Sequence, residues 1–116
     1  MRLMMTLSLL LNVAVLVPVC IGLATDAPWA RASYGEASAA RGILLSVYLA
    51  IGIVSAVLLV VRDPRMVAAL LLVQIVYKVT TPVTVGSLAH PVVVSNLWIA
   101  AFHTVTLVLI WRARMP

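Results

Sequence analysis

The chain reads as an all-α integral membrane protein, a bundle of four transmembrane helices. Three observations predict this. Of 116 residues, 65% are hydrophobic and 9% charged, whereas a soluble domain carries roughly a quarter charged residues. Four apolar stretches, residues 3–24, 41–61, 66–88 and 92–111, each approach the roughly 20 residues needed to cross a bilayer. Almost nothing remains for a soluble part, so residues 1–116 form one transmembrane domain, its helices near 3–24, 36–61, 64–88 and 92–112.

The first helix begins with Arg2 and a long apolar run, the outline of a signal peptide. The small-x-small pattern Ala30–Arg31–Ala32 lies too far beyond that run to serve as its cleavage site. Val17–Pro18–Val19–Cys20 is a poor lipoprotein box, because valine precedes the cysteine. The first helix is therefore expected to stay in the mature chain. Cys20, the single cysteine, has no intrachain disulfide partner and reads as a packing residue.

The second helix has a candidate start at Ser33-x-x-Glu36, a capping-box pattern. A helix from there to Val61 would be roughly 40 Å long, with its first two turns outside the membrane. Asp63 is placed to cap the third helix, with Pro64 in its first position, where a missing N–H costs nothing. The fourth helix can be capped by His90 ahead of Pro91, or later by Asn96. The earlier start leaves a longer span.

Charge sets the orientation. The formal charge is +5, and the arginines flank helix ends. They read as topology signals rather than a nucleic-acid surface. With both termini inside, Arg2, Arg62, Arg65, Arg112 and Arg114 are cytoplasmic, against Arg31 and Arg41 outside. Trp29 and Tyr34 suit an outer aromatic belt, and Trp111 an inner one. The expected location is a bacterial inner or plasma membrane.

Counting from the cytoplasmic helix ends at 1.5 Å per residue, Asn12, Ser55, Gln74 and His103 all fall roughly 10–14 Å deep, and Lys78 one turn further out on the Gln74 face. These five are the candidate binding or partner-contact residues. Asn12 and Gln74 serve equally as interhelical hydrogen-bonding groups, and Ser55, with Gly52, as a site of close helix approach. Ser8 and Thr104 can bond their own helix backbones. Tyr48 and Tyr77 read as amphipathic packing residues.

Lys78 is the exceptional residue. An ammonium at the bilayer centre costs at least about 2.5–3.5 kcal/mol on insertion scales. Its side chain tilts toward the helix N-terminus, and the inner surface is more than about 10 Å away by the same count. Asp26, Glu36 and Asp63 all fall in loops. Lys78 is thus expected to be neutral, to face water, or to meet an anion or a partner's carboxylate that this chain does not supply. Pro82 removes the hydrogen bond to the Lys78 carbonyl and is the expected kink, with Thr80 or Thr81 placed to satisfy the freed oxygen.

Several chemistries fail on spacing. His90 and His103 lie at different depths, unsuited to paired haem ligation. Two separated histidines and one cysteine are too few for a metal cluster. No acid reaches a membrane-embedded Ser or His, and no glycine-rich phosphate loop occurs. No catalytic set, metal or cofactor is expected. In size and helix count the chain is similar to the small multidrug-resistance transporters. Those depend on a first-helix glutamate where this chain has Asn12, so their coupling does not carry over. The outline also resembles small bacterial four-helix membrane proteins of the DoxX type, in architecture alone.

Three functions remain open. The first is an accessory or structural subunit of a larger membrane complex. The second is a small homo-oligomeric transporter or channel, with Lys78, Gln74 and His103 lining an anion or polar-solute path. The third is a site for a quinone or other lipid, with Lys78 and His103 bonding its polar head. Expected partners are membrane lipids, other subunits or further copies of the chain, and no nucleic acid.

Overall fold

The computed structural model describes residues 1–114. The side chain of Arg114, one of the five arginines expected inside, lies outside the described part, as do Met115 and Pro116. The described residues are helical with no strand. They form α1 (Arg2–Ala24), α2 (Pro28–Tyr34), α3 (Ala39–Val61), α4 (Pro64–Thr81), a π turn (Pro82–Gly86) and α5 (Pro91–Arg114). Four helical segments, each 23 residues, are long and apolar enough to cross a membrane. At 1.5 Å per residue each is about 34 Å, a little more than the hydrocarbon thickness. Only 22% to 39% of each span is buried, so most of its surface is apolar and outward. This is a multi-pass helical membrane protein.

The second span departs from the expectation. It begins at Ala39, not near Glu36, and the capping box does not form. Ser33 lies in the last turn of α2. Gly35 then turns the chain at φ +88°, a conformation that side chains resist, and its N–H closes on the Arg31 carbonyl at 2.9 Å. The cap of α3 is Ser38, whose Oγ accepts the Arg41 N–H at 3.1 Å. The segment expected as two extra turns is instead the separate helix α2 and a short link. Pro28 opens α2 at its first position. Its Trp29 indole lies against Gly22, where an added Cβ would run into the ring.

The other punctuation follows its local chemistry. Asp63 Oδ1 accepts the Arg65 N–H at 2.9 Å ahead of Pro64. His90 Nδ1 accepts the Val92 N–H at 3.2 Å, starting α5 at Pro91.

The chain divides into two compact units, and the boundary falls within α1. One comprises residues 9–61. Here Asn12 of α1 donates to Ser55 Oγ of α3 at 3.0 Å, and the Tyr34 and Tyr48 rings meet edge to face at 6.0 Å. Burial holds the Tyr34 hydroxyl above its usual pKa. A Cβ on Gly52 would lie 3.8 Å from Leu16, ordinary contact, so glycine is not required for this approach. Cys20 borders an apolar groove of about 230 Å³ between Leu16, Val17, Tyr48 and Leu49.

The other unit comprises residues 1–8 and 62–116. The buried positions of α4 are Val67, Leu71, Gln74 and Lys78. Those of α5 include Val93, Asn96, Ala100, His103, Thr106 and Ile110. Spacings of three and four put each set on one helical face.

Candidate functional site

Lys78 is 5% exposed, and Gln74 one turn before it is 1% exposed. The sequence left Lys78 without a partner; the structure supplies one. Its Nζ donates to Asn96 Oδ1 of α5 at 3.1 Å. A lysine only donates, so the Asn96 amide presents its oxygen. The Tyr77 ring centroid lies 4.8 Å from the same nitrogen, within cation–π range. Asn96 thus acts as an acceptor inside α5 and not as its cap. The one carboxylate in this unit is Asp63, which caps α4 fifteen residues away, roughly 22 Å along the helix. The lysine's hydrogen-bond acceptor is a neutral amide.

Pro82 acts on the same turn. The Lys78 carbonyl that it deprives of a donor accepts the Thr81 hydroxyl at 2.6 Å. Thr80 bonds the Tyr77 carbonyl at 2.8 Å. Helical geometry continues past the proline into the π turn, which ends at Gly86 with φ +81°. A π turn is one recognised way for a helix to absorb such an interruption.

His103 is fully buried. Its Nδ1 lies 3.1 Å from Ser8 Oγ of α1, which lies 2.7 Å from Thr106 Oγ1. Thr106 also reaches the carbonyls of Phe102 at 3.3 Å and Met4 at 3.4 Å. Ser8 thus bridges His103 and Thr106, with the donor at each contact set by the His103 tautomer. Ser8 therefore joins helices instead of bonding its own backbone. Thr104 does the latter, to Ala100 at 2.7 Å.

Gln74 is buried on the Lys78 face of α4, and His103 is buried on the Asn96 face of α5. Asn12 and Ser55 meet each other within the other unit.

Compared with models of known protein families, with curated proteins and with solved structures, the chain matches none.

Sequence reasoning undervalued two members of this constellation: Ser8, read as a backbone binder, and Thr106, not read at all. Their signal was available in part: Ser8 is one turn from Asn12, and Thr106 one turn from His103. Spacing does put Asn96 on one α5 stripe with Ala100 and His103, but does not give its bond to Lys78. Arg41, read as an outer charge, is 7% exposed and belongs to a local cluster that the sequence did not reveal. It donates to the Gly35 carbonyl at 2.9 Å and to Asp26 Oδ1 at 2.7 Å. Asp26 Oδ2 also meets Arg31 Nε at 3.2 Å.

Proposed function

We propose that this protein is a structural or accessory subunit of a membrane assembly, and not an enzyme. One observation carries the reading: the polar side chains within the spans bond one another, while the outward faces are apolar. Lys78 pairs with Asn96, His103 with Ser8, and Asn12 with Ser55. Such interhelical bonds contribute about 0.6 kcal/mol each on average, and up to about 1–2 kcal/mol. They act as clamps. Large apolar side chains such as Ile43, Ile53, Val73, Trp98 and Val105 point outward along the spans. Surfaces of this kind meet lipid or other helices.

Mild-detergent purification from the native membrane tests the reading. A second membrane polypeptide should co-purify in fixed stoichiometry. Lys78→Met should not release it, because Lys78 faces inward. Recovery of the chain alone overturns the subunit reading.

A second reading, a path or site for an anion or polar solute, is favoured by Lys78 itself. A buried lysine opposite an amide retains an unmet demand for negative charge. Under this reading the chain purifies as a homo-oligomer, and Lys78→Met abolishes solute flux in proteoliposomes. A quinone or lipid recovered in organic extracts, and lost in Lys78→Met, would instead identify a ligand site.

A further inference from the structure

Where α1 and α4 begin, Met1, Arg2, Met5, Arg62 and Pro64 enclose a cavity of about 330 Å³. All belong to the same compact unit. We propose that this cavity binds a phosphate group, either the headgroup phosphate of an anionic lipid or free phosphate. The proposal is independent of the subunit reading.

Two arginines line the cavity, both exposed residues. A guanidinium carries N–H donors in a planar fork that suits phosphate oxygens. Arg62 is held in place from two directions. Its backbone takes the left-handed conformation at φ +57°, and its Nη1 donates to Thr6 Oγ1 at 3.1 Å. This brings the end of the α3–α4 link onto the first turns of α1, beside Arg2. Two cations around one cavity repel each other, and a bound anion relieves that repulsion.

The remaining walls discriminate among anions. Met1 and Met5 are apolar, and Pro64 has no N–H. The cavity is therefore lined by two cationic and three apolar residues. It lies at the first residues of two apolar spans, the level at which lipid headgroups sit. Its volume is at the lower end for small-molecule sites. That size suits a phosphodiester with part of its glycerol rather than a bulky solute. The one carboxylate nearby, Asp63, is turned to the Arg65 N–H as a helix cap and does not line the cavity. Arg65 adds a further positive charge to the same link.

The test uses the full chain in detergent, titrated with phosphatidylglycerol or phosphatidylcholine, with retained lipid counted by native mass spectrometry. One phosphatidylglycerol should be retained in preference to phosphatidylcholine. Arg2→Gln and Arg62→Gln should each weaken retention roughly tenfold or more. Arg112→Gln serves as the control, because Arg112 is exposed at the end of α5 and lies outside the cavity. It should leave retention unchanged. Arg62 also braces Thr6, so Arg2→Gln, with circular dichroism as a check on folding, is the cleaner variant. Inorganic phosphate is then added at millimolar concentration. Displacement of the lipid, with phosphate binding that Arg2→Gln removes, assigns the site to the free anion; retention of the lipid assigns it to the headgroup. Equal loss in Arg112→Gln would reduce the effect to general charge and overturn the site. So would a wild-type chain that neither prefers the anionic lipid nor binds phosphate.

Discussion

Lys78 donates to the side-chain oxygen of Asn96 across the α4–α5 interface, and that bond decides how each residue responds to substitution. Removing the acceptor strands a buried donor, at a cost of about 1–3 kcal/mol. Removing the lysine takes a cation out of the span, which insertion scales place at about 2.5–3.5 kcal/mol in favour of the change. Asn96→Ala should therefore destabilise the protein, and Lys78→Met should be neutral or stabilising. In the Lys78→Met background, the cost of Asn96→Ala should fall by about 1–2 kcal/mol. Reversible unfolding in mixed micelles measures the four corners of this cycle. Strict additivity would mean that the bond contributes nothing. Lys78's place within the third span and its carbonyl's need for a threonine hydroxyl were legible, because both follow from spacing along one helix. Asn96 was not, because eighteen residues and a reversal of chain direction separate it from Lys78.

The link from α1 to α3 shows why element boundaries were harder to read. Ser33-x-x-Glu36 satisfies a capping rule on paper, yet Gly35 ends α2 inside that pattern and Ser38 caps the next helix. What fixes this link is a charged cluster. Asp26 accepts from buried Arg41 and meets Arg31. The hydrogen bond from Arg41 is the main cause holding the Asp26 carboxyl below the usual carboxylate range. Burial partly opposes it, and the charges of Arg31 and Arg41 add to it. Because the folded-state value is the lower one, the stabilisation is complete at neutral pH. It begins to fade as pH falls past the ordinary carboxylate value near about 4, and is lost through the lower folded value. Thermal unfolding should be flat from about pH 7 to 5 and should weaken below about 4. Asp26→Asn should melt lower at pH 7 and lose less on acidification. Matching acid slopes in the two proteins would remove Asp26 from the account.

Across the whole chain, charge asymmetry argues for both termini on the cytoplasmic side. Five arginines, at 2, 62, 65, 112 and 114, then lie inside. Only Arg31 and Arg41 then lie on the other side, and the bias is counted in Lys and Arg. A reporter active only in the cytoplasm, fused after Pro116, should give signal. Signal only from a reporter active outside would reverse the orientation and every depth measured from it.

Hydropathy and helix punctuation are local properties. Twenty apolar residues partition into hydrocarbon whatever their neighbours are, and Asp63–Pro64 or His90–Pro91 start a helix from their own backbone chemistry. For that reason the four spans, the third and fourth helix starts and the unusual cost of Lys78 were readable from the order of residues alone. Pairing between helices depends on rotation, register and backbone turns distributed along the chain. The Asn96 acceptor, the His103–Ser8–Thr106 chain, the burial of Arg41 and the Arg2–Arg62 cavity are of that kind. Each joins residues far apart in sequence whose encounter no single segment encodes. A polar group in a membrane span must find a partner, but only the packed helices decide which one it finds.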